Sequence, residues 1–359
     1  MSTAQATEVV QALGEALSAG DAQRAAALAA DPAVAERLAT MARNAGRLRL
    51  RGVTATTTAP PGPDGALTAL VTWQVPVIDP DPLSTSLTLR LVTHGDATQV
   101  AAVQPQGQTP LWLQAGPVVV RRAGAAMVVL AAHNAGLGGD ITRETRRAVA
   151  TVRAVLPHWS GRLALEVAAD TDSYEAVLDA SPGERAGDAA VTVTLGDPAT
   201  SRSSRVVINP AVFSSLRPIG RRVVLAHEAT HVATSAAASP APLWLVEGFA
   251  DYVALRDVAV PEWVSAAQLL DEVRRHGPPT QLPSDTDFQA AGDRLAAAYE
   301  ASWLACLTLA EAGGERALVR FYREVDGDDR AGRWLRREFG WRFHTLVSRV
   351  ARRLSAWRA

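Results

Sequence analysis

The segment Leu225-Ala226-His227-Glu228-Ala229-Thr230-His231-Val232 constrains this chain more than any other stretch of it. Residues four apart lie on one face of an α-helix, about one turn from each other. A helix here therefore presents two imidazoles to a single point, and imidazole suits zinc. Pro218 is placed to open such a helix, because the first turn needs no intrahelical N–H. Pro240 and Pro242 bound it at the other end. Glu228 follows the first histidine directly, so it is rotated off the ligand axis. From there it can reach a water at the metal without occupying a coordination position, which is the mechanical meaning of His-Glu-x-x-His.

A second helix is expected from Leu243-Trp244-Leu245-Val246-Glu247-Gly248-Phe249-Ala250-Asp251-Tyr252, just after Pro242. Glu247 follows His231 by sixteen residues, enough chain to finish one helix, turn and return antiparallel. It stands among Leu245, Val246 and Phe249, where a carboxylate is rarely buried unless paired or bound to metal. Gly248 leaves room beside it for a close helix approach. Asp251 shares the face of Glu247 and can accept the free ring N–H of a ligating histidine. The alternative is an amphipathic helix with Glu247 and Asp251 in water.

These two segments together resemble the gluzincin metallopeptidases, the clan of thermolysin and aminopeptidase N. The wording around Glu247 is similar to the aminopeptidase form. The resemblance covers roughly residues 116–359, most tightly 205–255. It implies zinc (Zn2+) held by His227, His231 and Glu247, Glu228 as general base, Asp251 supporting a ligand histidine, and a peptide or protein substrate. Ala298-Tyr299-Glu300-Ala301-Ser302-Trp303, Glu311-Ala312-Gly313-Gly314 and Glu338-Phe339-Gly340-Trp341 resemble the helical C-terminal part of compact members. By the same resemblance Tyr299 is the first candidate for stabilising the oxyanion, ahead of His276 and His344, and residues 205–208 form a strand whose edge pairs with an extended substrate. A metzincin needs Gly at 234 and His at 237, where this chain has Thr234 and Ala237, and no cysteine precedes the motif as in a deformylase. The aminopeptidase exopeptidase motif is missing. A competing reading keeps the gluzincin fold and its zinc as a non-catalytic binding or scaffold protein.

Upstream, residues 6–44 are Ala-rich and helix-favouring, interrupted at Gly20-Asp21 and Asp31-Pro32. Four runs of alternating polarity follow at 48–58, 67–77, 87–93 and 98–103. They are punctuated by Ala59-Pro60-Pro61-Gly62-Pro63-Asp64-Gly65, Asp79-Pro80-Asp81-Pro82 and His94-Gly95-Asp96, as in antiparallel hairpins. Helices on one face of such a sheet make a small α+β domain, and the order resembles the NTF2-like or cystatin-like superfamily. The Pro/Gly/Gln stretch at 104–116 reads as a boundary. It divides an NTF2-like accessory domain at 1–115 from a gluzincin-like domain at 116–359, a small mixed sheet followed by a helical half. Strands are expected at 118–121, 127–132, 163–168, 190–195 and 205–208. A helix is expected at 141–156, capped by Asp140.

Composition narrows the partners. A net charge of −1 argues against a dedicated nucleic-acid binder. The single cysteine, Cys306, excludes an internal disulfide and sits in an apolar stretch that suits core packing. No run of residues is apolar for long enough to span a bilayer. The N-terminus lacks the plan of a signal peptide, so the chain reads as soluble and, by default, cytoplasmic, with a secreted or membrane-anchored protein as the alternative if an N-terminal segment was removed. Oligomeric state is unconstrained. His94, His133 and His158 read as surface or capping residues. Arg217, Arg221 and Arg222 read as a solvated helix start, with contact to acidic substrate groups as the alternative.

Overall fold

The N-terminal helices begin where the sequence supplies a cap. In a computed structural model that describes residues 1–95, 97–196, 201–290 and 292–357, α1 (Thr3–Ala19) opens on a reciprocal box: Ser2 Oγ accepts from Gln5 N, and the Gln5 side chain accepts from Ser2 N. The carboxylates of Asp21 and Asp31 accept two backbone N–H groups each at the starts of α2 (Ala22–Ala27) and α3 (Pro32–Leu48), which satisfies donors that the first turn of a helix leaves open. The strands β1 (Arg51–Thr57), β2 (Ala66–Gln74), β3 (Leu83–His94) and β4 (Ala97–Pro105) pair in sequence order as an antiparallel meander. Along β2 every second residue is buried: Leu67, Ala69, Val71 and Trp73. They share one core with Val10, Leu13 and Leu17 of α1. Asp96, in the third expected turn, lies outside the described residues.

A second sheet contains β5 (Val118–Ala123), β6 (Ala126–Ala131), β7 (Leu163–Val167), β8 (Ala190–Thr194) and β9 (Ser204–Ile208), in the order β5-β6-β7-β9-β8. β6, β7 and β9 run parallel, with β5 and β8 antiparallel at the edges. Parallel neighbours need a long crossover, which α4 (Gly138–Val155) supplies between β6 and β7. That helix starts at Gly138, so Asp140 lies within its first turn and is not its cap. α5 (Thr171–Leu178) and the short α6 (Pro210–Ser215) complete this part of the chain. The architecture is mixed α+β.

The strand at 205–208 was expected to offer an edge to substrate. β9 is an interior strand, paired with β7 on one side and β8 on the other. Its backbone groups are therefore already used, and the edges of this sheet are β5 and β8.

The chain forms two compact units, one of residues 1–146 and 160–216, the other of 147–159 and 217–359. The boundary expected at 115/116 falls inside the first unit. The Pro/Gly composition of 104–116 does mark irregular backbone after β4, but residues 109–113 at its centre are buried. Leu111, Trp112 and Leu113 form a 3-10 turn at 3%, 0% and 0% exposure. Trp112 meets Trp73 edge-on at 5.8 Å. Asn44 donates to the carbonyls of Trp112 and Gly116 and accepts from Val118 N. Arg205 of β9 makes a bidentate pair with Asp79 at 2.8 and 2.9 Å, and its Nε lies 3.6 Å from Glu166.

The second unit is helical: the end of α4, then α7 (Pro218–Thr234), α8 (Leu243–Leu255), α9 (Glu262–Ser265), α10 (Ala267–His276), α11 (Asp293–Gly313), α12 (Glu315–Glu324), α13 (Gly327–Phe339) and α14 (Phe343–Ala356). Its core includes Leu245, Phe249, Leu304, Leu318 and Phe321. A Cβ on Gly248 would stand 2.3 Å from the carbonyl oxygen of Ser302. Glycine therefore lets α8 lie directly against the α11 backbone. Cys306, fully buried, packs at this crossing, and burial pushes its thiol well above the usual range, which makes it inert. Among the described residues, no helix is long and apolar enough to cross a membrane.

Candidate metal centre

Pro218 occupies the first turn of α7, and Ser235 ends the helix in a left-handed conformation at φ 53°. A 3-10 turn at Ala236–Ala238 and the two prolines lead into α8. The earlier histidine of α7 meets the later carboxylate of α8, and the later histidine meets the earlier one. The two helices are therefore antiparallel, with Glu247 and Asp251 on the face turned toward His227 and His231.

Nε2 of His227 lies 2.9 Å from Nε2 of His231, and each lies 3.2 Å from Oε2 of Glu247. The imidazole rings stand nearly perpendicular, at 86°. On its other side His227 places Nδ1 2.7 Å from Oδ1 of Asp251. An ionised carboxylate only accepts, so Nδ1 is the donor. In the neutral ring, Nε2 then carries a lone pair facing the other two atoms. Among the described residues, this is the group of three that converges closely enough to hold a metal ion.

The donor set fits zinc. Ligand bonds of about 2.0–2.2 Å put tetrahedral donors about 3.3–3.6 Å apart. The three observed separations are a few tenths of an ångström shorter, so small side-chain adjustments accommodate the ion. The charges point the same way. Burial works to keep His227 neutral. Asp251 first, then the contact with Glu247 and the charge of Glu228, outweigh it and hold the imidazole well above the usual histidine range. Burial likewise opposes ionisation of Glu247, yet its contacts with His227 and His231 hold it far below the usual carboxylate range. Both shifts come from attraction between imidazole and carboxylate groups at this point.

Glu228 is buried on α7 at 8% exposure and acts electrostatically on His227. Tyr299, half-buried on α11, brings its ring centroid to 6.1 Å from that of His227. His276 is exposed at the end of α10, 3.6 Å from Glu272. His344 is exposed on α14. His94, His133 and His158 are exposed in the first unit or at the end of α4, and Nε2 of His133 lies 2.7 Å from the Ala169 carbonyl. Arg217 is exposed at the start of α7, and Arg221 and Arg222 are half-buried.

Two residues near the centre escaped the reading of the sequence. Glu300 reaches from α11 to the start of α10 and accepts from Leu269 N at 2.7 Å and from Gln268 N at 3.4 Å. Burial pushes its carboxyl up to about 7. The backbone donors oppose that rise, while the charges of Asp251 and Asp271 add to it. Phe288 meets Tyr299 edge-on at 5.3 Å. A charge in the apolar stretch Ala296–Leu304 was a visible signal for Glu300. Phe288 carried no signal, because its partner lies eleven residues on, in the next helix.

No protein-family model matches the chain, and no curated protein matches it in sequence.

Proposed function

We propose that this chain is a zinc-dependent metallopeptidase of the gluzincin type, hydrolysing peptide bonds in a peptide or protein substrate. The observation that carries the proposal is the meeting of Nε2 of His227, Nε2 of His231 and Oε2 of Glu247 within 2.9–3.2 Å, with Nδ1 of His227 committed to Asp251. In this reading the second unit corresponds to the helical half of a gluzincin-like domain. The first four strands and their helices correspond to an NTF2-like or cystatin-like module.

His227, His231 and Glu247 would hold zinc, leaving a fourth position for a reactant, as catalytic sites do. Zinc there supplies Lewis acidity toward a water and a peptide carbonyl. Asp251 fixes the tautomer and orientation of His227. Glu228 accepts a proton from the attacking water and passes it to the leaving amine. The Tyr299 hydroxyl donates to the carbonyl oxygen as negative charge develops on it.

The test is Glu228→Gln in zinc-loaded protein, scored on a broad peptide library. Removing a general base costs about 100- to 10,000-fold in rate, and zinc content should stay that of the unaltered protein. The alternative is a gluzincin-fold binding or scaffold protein. Stoichiometric zinc with no cleavage of any library member would select it. Failure to bind zinc at all would sink both readings.

A further inference from the structure

Phe288 sits on a 3-10 turn, Asp287–Gln289, in the connection between α10 and α11. The turn is fastened from within. Asp287 accepts from Ser284 N at 2.8 Å and from Ser284 Oγ at 2.7 Å, and its own N–H donates to the Ser284 carbonyl at 2.9 Å. Gln289 N donates to the Thr286 carbonyl. Phe288 is thus presented from a closed turn. Its ring meets that of Tyr299 at 89° with centroids 5.3 Å apart, and Tyr299 in turn stands 6.1 Å from His227.

A tyrosine on a helix chooses between two χ1 rotamers, both sterically open. An edge-to-face aromatic pair adds a geometric preference beyond the area it buries, and that preference favours one of them.

We infer that Phe288 is a positioning residue for Tyr299: its ring, held by the Ser284–Asp287 turn, keeps the Tyr299 ring beside His227. The inference rests on the peptidase reading only for its kinetic consequence. A misplacement of a reacting group by about 1 Å can cost about 100-fold in rate. Phe288→Ala should therefore lower kcat about 10- to 100-fold, with KM within about threefold and zinc content unchanged. Phe288→Leu, which keeps bulk but no ring, should lose as much, and Phe288→Tyr should recover the unaltered rate. Because Phe288 acts through Tyr299, Phe288→Ala with Tyr299→Phe should cost no more than Tyr299→Phe alone.

A second readout needs no activity. The chain has four tyrosines, so protein labelled with 3-fluorotyrosine gives few fluorine resonances, and Tyr299→Phe identifies the one from Tyr299. That resonance should be single and sharp in the unaltered protein. It should broaden or split in Phe288→Ala and in Phe288→Leu. A resonance that stays single and sharp in both variants overturns the inference, whether or not any peptide is cleaved. Losses that multiply in the double variant overturn it too. If the unaltered protein cleaves nothing, the hydrolytic reading falls and the fluorine resonance alone decides the role of Phe288.

Discussion

The first unit buries Asp79, Glu166 and Arg205 together, whereas the second half-buries His227, His231 and Glu247 around a common point. In the first, every charged group finds partners within the network or on the nearby backbone. Arg205 spends both Nη atoms on Asp79, Asp79 also accepts from Val75 N, and Glu166 accepts from Leu111 N. The Trp73 ring lies 5.7 Å from the guanidinium. These side chains are 0–3% exposed. In the second unit Nε2 of His227, Nε2 of His231 and Oε2 of Glu247 face one another, and their side chains are 12–13% exposed. A network that closes on itself holds a fold together. A network that aims three potential metal ligands at one point, within reach of solvent, can hold something that is not part of the chain.

Three measurements would break or sharpen that contrast. The largest effect is expected from Arg205→Met, which leaves two carboxylates buried without their cation. Removing one partner of a buried pair costs about 3–5 kcal/mol. Chemical denaturation should show that loss in the first unit while zinc affinity stays unchanged. A variant within about 1 kcal/mol of the original would mean that the network contributes little.

Asp251→Asn comes next. A carboxylate that orients a ligand histidine is worth about 10- to 100-fold in metal affinity, to be read by competition with a chromogenic zinc chelator. Equal affinity in the variant would remove Asp251 from the centre.

The smallest effect concerns Glu300. Its carboxyl is pushed up to about 7, above the ordinary value of 4.5 that applies to the unfolded chain. Between those two values the folded state holds more protons than the unfolded one. Stability therefore falls as pH rises through this window, and levels off above it. Glu300→Gln keeps an acceptor for Leu269 N and Gln268 N but cannot ionise. In metal-free protein, the melting temperature of the original should drop more steeply from pH 5 to pH 8 than that of the variant. Parallel profiles would contradict this.

Local signals located most elements. The alternation at 67–77 became β2, the caps at Asp21 and Asp31 opened α2 and α3, and Pro218 opened α7. Misreadings arose where one local signal has two long-range outcomes. Asp79 reads as turn punctuation beside two prolines, yet it is 4% exposed and paired with Arg205, 126 residues away. The stretch at 104–116 reads as a linker, yet Trp112 is buried in the first unit. α5 was missed altogether, because an eight-residue helix shows barely two turns of periodicity.

The sequence by itself determined that His227 and His231 share one face of a helix and that Glu247 and Asp251 share a face of the next. Helix geometry makes those relations a matter of counting residues. Only the tertiary structure decided that the two faces meet at contact distance, that Gly248 admits the α11 backbone at Ser302, that Phe288 reaches Tyr299, and that β9 lies inside its sheet. Each of these depends on which surfaces bury one another. That is settled by complementarity between distant segments, and spacing along the chain carries no record of it.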